Sequence, residues 1–174
     1  MSTEISIRET RPSDEAALAA LYAAAFPEED LLPLVTELLA MRSGVISLAA
    51  ERAESLMGHV CFTECKVGDA LVALLGPLAV APAYQRQGVG AALIAEGLKR
   101  SGSAGAASAL VLGDPAYYSR FGFEPETGVN PPYPLPKAWA EAWRSLPLSP
   151  AEQVQVKGKL WVPEPWAKRS LWSE

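Results

Sequence analysis

Metal ligands and cross-linkable thiols are scarce in this chain. Its 174 residues hold one histidine, His59, and two cysteines, Cys61 and Cys65. All three fall within residues 56–65, a run that alternates as a β-strand does. Four residues along a strand span about 13 Å, beyond the roughly 7 Å limit between the α-carbons of a disulfide. A structural zinc takes four ligands, whereas this cluster offers three and no CxxC pair. The expectation is two small core thiols and a hydrogen-bonded histidine in a sheet, with no metal.

Long apolar runs are missing too. Nothing approaches the roughly 20 apolar residues that cross a bilayer. The start, Met1-Ser2-Thr3-Glu4-Ile5, has no basic end followed by an apolar run, so no secretory signal is expected. Both absences point to a cytoplasmic protein without a membrane partner. Basic charge is in deficit, with 15 Lys and Arg against 20 Asp and Glu and a net charge of -5. That argues against a nucleic-acid partner, which needs a basic face to displace counterions. It suits a cationic partner such as an amine. The rest of the composition, 49% hydrophobic and 20% charged, is that of a globular chain. Its length fits one domain with a real core and is too short for two ordinary ones.

The pattern along the chain is mixed. Ile5 and Ile7 mark a first strand closed by Arg11-Pro12. Ser13 is a suitable N-cap for a helix whose apolar side is Leu18, Leu21, Tyr22, Ala25 and Phe26, and Pro27 stops it. Leu31, Val35, Leu38 and Leu39 mark a second helix, ended near Ser43-Gly44. Residues 45–51, 56–65 and 70–81 then read as three strands. Their short connections imply antiparallel neighbours, because a parallel return needs a dozen residues or more. Gly76-Pro77 interrupts the third strand, and a bulge or a freed edge is expected where proline cannot donate.

Residues 88–100 read as a helix with Val89, Leu93 and Gly97 on one side, ended by Ser101-Gly102. Residues 109–112 form a short buried strand, and residues 115–121 a short helix terminated by Gly122. This strand–helix–strand order predicts a crossover between parallel strands. Residues 131–174 hold all five tryptophans and eight of the fifteen prolines. Residues 153–162, with Val154, Val156 and Leu160, suggest a late strand; residues 139–146 read equally as strand or helix.

The chemistry is concentrated in Leu78-Ala79-Val80-Ala81-Pro82-Ala83-Tyr84-Gln85-Arg86-Gln87-Gly88-Val89-Gly90. A strand ends at Pro82, a polar turn follows, and two glycines open a helix. The first helical turn leaves four N–H groups unpaired beneath the positive end of the dipole. Glycines remove β-carbons that would hold a phosphate away, and Arg86 adds charge. The result suits a pyrophosphate held mostly by backbone. A P-loop is excluded because no lysine follows the glycines. The dinucleotide fingerprint is excluded because Leu93 stands where its third glycine would be.

Gln85-x-x-Gly88-x-Gly90 after the Val80-Ala81-Pro82 turn resembles the acetyl-CoA loop of the GNAT superfamily of N-acetyltransferases. Gly113-Asp114-Pro115-Ala116-Tyr117-Tyr118-Ser119-Arg120-Phe121-Gly122-Phe123 resembles the Tyr-x-x-x-Gly-Phe segment of the same enzymes, with a lead-in found in one bacterial branch. The resemblance covers residues 5–125. It implies a single α+β domain over residues 1–174: a mixed, mostly antiparallel sheet flanked by helices, with residues 126–174 adding Trp- and Pro-rich strands and a tail. It implies acetyl-CoA as co-substrate and a small-molecule or peptide amine as acceptor, with homodimerisation left open. Leu78, Ala79 and Val80 would line the acetyl and pantetheine arm, and Gln85, Arg86, Gln87, Gly88, Val89, Gly90 and Ala91 would hold the pyrophosphate.

Tyr118 falls on the position that protonates the departing thiolate in many relatives; its spacing to Gly122 selects it over Tyr117. One departure is Val111, where many relatives carry an asparagine that bonds the pantetheine. Attack by the amine in a ternary complex needs no cysteine nucleophile. Glu28, Glu29 and Glu64 are the acids nearest the expected acceptor side, and none is nominated as general base. The competing reading is a non-catalytic acyl-CoA-binding sensor or regulatory subunit, against which the retained Tyr118 speaks.

Overall fold

The computed structural model describes residues 4–148 and 156–173. The fold is mixed α+β, with nine strands among the described residues: β1 (Ser6–Glu9), β2 (Val45–Arg52), β3 (Ser55–Val67), β4 (Ala70–Val80), β5 (Ser108–Leu112), β6 (Glu124–Pro125), β7 (Val129–Asn130), β8 (Trp143–Pro147) and β9 (Gly158–Lys159). Among the same residues the α-helices are α1 (Glu15–Ala25), α2 (Leu32–Leu39), α3 (Val89–Ser103) and α4 (Pro115–Tyr118). Seven strands are hydrogen-bonded in the order β1-β2-β3-β4-β5-β8-β6, and β7 and β9 form a separate pair. The residues cluster into two compact units interleaved in sequence, Met1–Phe62 with Gly76–Arg100, and Thr63–Leu75 with Ser101–Glu174.

In the first unit β1 runs antiparallel to β2, from Ser6 opposite Glu51 to Glu9 opposite Leu48. Helix α1 buries Leu18, Leu21 and Tyr22, which cluster with Val35 and Ala79. Helix α3 presents Val89, Leu93 and Gly97, the expected stripe at four-residue spacing, to β3. The contact is close enough to require small residues on both sides. A β-carbon on Gly97 would overlap the Phe62 ring, and one on Gly58 would stand 2.9 Å from the Ala79 carbonyl and 3.0 Å from Val89.

Two helix boundaries differ from expectation. Ser13 does not cap α1, because Pro12–Asp14 forms a 3-10 turn and the helix begins at Glu15. The Asp14 carboxylate organises this entry: it accepts the Arg11 N–H at 2.7 Å and both Arg8 guanidinium nitrogens at 2.8 Å. The adjacent guanidinium pulls its pKa down to about 2. Helix α2 ends at Leu39 rather than near Ser43-Gly44, and Gly44 takes a φ of 84° on the way into β2. Its buried residues are Leu34, Val35 and Leu38, while Leu39 is 39% exposed. Leu39 is adjacent to Leu38, so it turns 100° off the buried face.

The expected hairpins form with two-residue connections. Ala53 and Glu54 adopt φ of 50° and 70°, the paired positive values that a tight hairpin requires. Strand β4 continues through Gly76-Pro77 instead of breaking into a bulge, and that peptide is cis. The recorded register of β4 with β5 is parallel and confined to Ala73, Leu74 and Leu75, stopping one residue before the glycine. Helix α3 runs past Ser101-Gly102 to Ser103.

In the second unit β8 pairs antiparallel with β5, from Ser108 opposite Pro147 to Leu112 opposite Trp143, and β6 pairs with β8 on its other edge. Residues 139–146 resolve into both candidates: a 3-10 turn over Lys137–Ala142 feeds directly into β8. Among the described residues the late strand is Gly158–Lys159, parallel to β7. Leu160 is buried beside it, and Val154 lies outside the described residues. Trp143, Trp166 and Trp172 are buried and meet ring to ring. Their indole N–H groups are satisfied by the Val129 carbonyl, the Thr63 hydroxyl and the Trp166 carbonyl.

Candidate active site

The loop between β4 and α3 belongs to the first unit. Pro82–Tyr84 makes a 3-10 turn, with the Tyr84 N–H donating to the Ala81 carbonyl at 2.8 Å. Both glutamines then bond the loop itself: Gln85 Nε2 donates to the Val80 carbonyl and Gln87 Nε2 to the Ala83 carbonyl, each at 3.1 Å. Their side chains therefore shape the turn. Arg86, exposed, has a φ of 63°, and Gly88 a φ of 86°. At Gly88 two demands coincide. Its dihedral favours glycine, and nothing lies within 4 Å of where a β-carbon would stand, so the space beside the backbone is open.

The first intrahelical bond of α3 runs from the Ala92 N–H to the Gly88 carbonyl at 3.0 Å. The N–H groups of Val89, Gly90 and Ala91 thus lie in the turn without helical partners, at the positive end of a 15-residue helix. Backbone donors, free space and one exposed cation suit a diphosphate. Preceding the loop, Leu78 and Val80 are half-buried and Ala79 is buried. The Ala81 N–H donates to the Met57 carbonyl at 2.9 Å, which anchors this arm to β3.

Tyr118 belongs to the second unit, in the segment 113–123. Asp114 caps α4 by accepting the Ala116 N–H at 3.0 Å, and Pro115 occupies the position where no donor is needed. A 3-10 turn over Ser119–Phe121 follows and ends on Gly122 at φ 93°. Tyr118 is 8% exposed, with the rings of Tyr117 and Phe123 edge-on to it at 5.1 and 5.8 Å. Burial raises its pKa well above the ordinary 10. The phenol stays protonated throughout the neutral range, and burial makes it a weaker acid than a free tyrosine. Tyr117 is half-buried, with the Arg120 guanidinium over its ring at 5.6 Å.

Gly113 and Arg144 escaped notice in the sequence. A β-carbon on Gly113 would overlap the Tyr118 ring, so this glycine lets the ring lie on the backbone. Its position in the Gly113-Asp114-Pro115 lead-in was the available signal. Arg144, buried on β8, stands opposite Val111 and had no signal, because a lone arginine ordinarily reads as surface. Val111 is itself buried in the sheet.

The His59 cluster in the first unit is packed and satisfied. His59 Nδ1 bonds the Tyr22 hydroxyl at 2.7 Å and Nε2 the Ser47 hydroxyl at 2.8 Å. Burial lowers its pKa to about 4, so it is neutral at pH 7. Cys61 and Cys65 are free, buried thiols pushed up by burial to about 12. Among the described residues no group of three acidic, cysteine or histidine side chains could hold a metal, and no helix is long and apolar enough to cross a membrane. Glu28, Glu29 and Glu64 are all exposed. A cavity of about 410 Å³ in the first unit is lined by Thr10, Glu15, Leu18 and Val35, and one of about 530 Å³ in the second by Glu126, Tyr133, Trp143 and Lys159. Neither is lined by the loop or by Tyr118.

Comparison with known proteins adds an independent line. The family model described as the Acetyltransferase (GNAT) family matches residues 15–123. The chain is 32% identical over 165 residues to an N-acetyltransferase of Escherichia coli strain K12, YjhQ, covering 90% of this chain and 91% of that one. A second N-acetyltransferase of that strain, YhbS, is 35% identical over 123 residues, 68% of this chain and 72% of its own. The crystal structure of YhbS from Escherichia coli in complex with CoA superposes with a TM-score of 0.85 at 28% identity, covering 97% of this chain and 94% of that one. A GNAT family acetyltransferase from Brucella melitensis in complex with acetyl-CoA gives a TM-score of 0.73 at 29% identity, covering 94% and 99%.

Proposed function

Because the chain belongs to the GNAT acetyltransferase family, we propose that it moves the acetyl group of acetyl-CoA onto an amine, with residues 85–91 holding the pyrophosphate and Tyr118 returning the proton to the leaving sulfur. The observation that carries the loop assignment is the open space at Gly88 beside the unpaired N–H groups of α3. A backbone cradle with a vacant side is what a diphosphate needs, and two relatives of this fold are crystallised with CoA or acetyl-CoA.

The chemistry follows from these groups. The neutral amine nitrogen attacks the thioester carbon; the C–N bond forms as the C–S bond breaks and its electron pair passes to sulfur. Tyr118 gives its proton to that sulfur, and the amine sheds its surplus proton to solvent or a surface carboxylate. A covalent cysteine intermediate is disfavoured, since thiols buried and pushed up to about 12 carry almost no thiolate at neutral pH. Rate comes chiefly from holding the two reactants together.

The acceptor is an amine on a small molecule or peptide, and the acidic surface charge of -5 favours a cationic one. We place the enzyme in the cytoplasm, where acetyl-CoA is available. The test is release of CoA thiol from acetyl-CoA across a panel of polyamines, aminoglycosides, amino acids and lysine peptides. Amine-dependent release is expected. Tight acetyl-CoA binding with no release to any amine would instead favour a non-catalytic acyl-CoA sensor.

A further inference from the structure

Arg144 carries a charge where the fold gains nothing obvious from one. It is the second residue of β8, opposite Val111 on β5 and Pro125 on β6, and is 8% exposed. A buried guanidinium is normally matched by a carboxylate, because desolvating an unpaired charge is costly. Among the described residues Arg144 has no ion pair. Its bonds go to two main-chain carbonyls instead: Nε donates to Phe123 at 3.2 Å, and Nη1 to Glu141 at 2.9 Å. An apolar side chain of similar length would fill the volume without a charge but would take this donor from both carbonyls.

The two carbonyls show what the charge is for. Phe123 closes the segment that carries Tyr118: its N–H donates to the Tyr118 carbonyl at 3.3 Å, and its ring stands edge-on to the Tyr118 ring. At the other end of that segment, the Gly113 N–H donates to the Ala142 carbonyl at 3.0 Å, and Gly113 lies directly against the Tyr118 ring. Both ends of residues 113–123 are thus fastened to one four-residue stretch, residues 141–144. Arg144 closes the clamp, tying the first carbonyl of that stretch to the far end of the Tyr118 segment. Strand alternation agrees. Val111 and Arg144 face the same side of the sheet, and Gly113, two residues after Val111, continues on that side.

We propose that Arg144 is a positioning residue for the acetyl transfer, fixing the direction of the Tyr118 ring by fastening the Phe123 end of its segment to the stretch that holds the Gly113 end. This rests on the reading of Tyr118 as the proton donor. A misplacement on the order of 1 Å can cost a reaction about 100-fold, so a loosened clamp acts on the chemical step and leaves acetyl-CoA binding by the other unit's loop intact.

The experiment is a double-mutant cycle in single turnover, using wild type, Arg144→Met, Tyr118→Phe and the double variant. The acceptor is the fastest amine of the panel, with spermidine as the default. Amide hydrogen exchange at Gly113 and Phe123 is followed in parallel. Arg144→Met is expected to keep acetyl-CoA affinity within twofold and to transfer at least about tenfold more slowly. Both amides should exchange faster, and Arg144→Lys should restore part of the rate. The loss should vanish in the Tyr118→Phe background. Equal losses in both backgrounds would show a general structural role and overturn the proposal, as would a wild-type rate in Arg144→Met. Should Arg144→Met fail to fold, the same cycle with Arg144→Lys decides. Full activity of Tyr118→Phe alone is a different failure: it removes the proton-donor reading and with it any role for Arg144 in the chemistry. Unchanged exchange at both amides refutes the clamp whatever the kinetics.

Discussion

The β4–α3 loop and the segment 113–123 both turn on glycine, and they use it in opposite ways. At Gly88 the absent side chain leaves emptiness: nothing lies within 4 Å of the would-be β-carbon. At Gly113 the absent side chain is filled at once by the Tyr118 ring. Residues 85–88 are exposed and shaped by the loop's own glutamines, and the first N–H groups of α3 have no helical partner. In the tyrosine segment Tyr118 and Phe123 are buried among exposed and half-buried neighbours, their rings stand edge to face, and both ends of the segment are fastened. On the proposed reading, the first region receives a ligand through backbone donors and the second aims one hydroxyl through its contacts.

The largest effect that could break this contrast belongs to the packed side. Tyr118→Phe keeps the ring and loses only the hydroxyl. Single-turnover transfer should fall by roughly 10²–10⁴, with kcat and kcat/KM falling together and acetyl-CoA affinity nearly unchanged. A wild-type rate would reduce Tyr118 to packing.

The next effect sets the two glycines against each other. Gly113→Ala forces a methyl into the Tyr118 ring and should cost about 1–3 kcal/mol, lowering Tm by several degrees and slowing transfer. Gly88→Ala meets no atom and costs only the strain of its positive φ, about 1 kcal/mol. Melting curves and transfer rates check both. Equal losses would mean that the two regions are not built differently after all.

How much of this was readable in the sequence follows the same division. The loop was legible because its meaning is local: a strand, a turn and two glycines at a helix start specify backbone donors without reference to the rest of the chain. The strands and the α3 stripe were legible through periodicity, and the buried His59, Cys61 and Cys65 through residue type. What escaped depends on contacts distant in sequence. Arg144 is recognisable as a core residue only once β8 is placed beside β5, and Gly113 as a contact only once the Tyr118 ring folds back on it. Ser13 was displaced as a cap because Asp14 is held from β1 by Arg8, a partner that no capping rule anticipates.

The account stands most directly on the loop as the pyrophosphate site. Acetyl-CoA should be titrated calorimetrically into wild type, Gly88→Ala and Gly88→Glu, the alanine variant serving as the control for backbone strain. The glutamate places a carboxylate in the open space beside the α3 donors. Its dissociation constant should exceed that of Gly88→Ala by more than tenfold, a loss above about 1.4 kcal/mol. A folded Gly88→Glu protein that binds acetyl-CoA as tightly as Gly88→Ala would contradict the assignment.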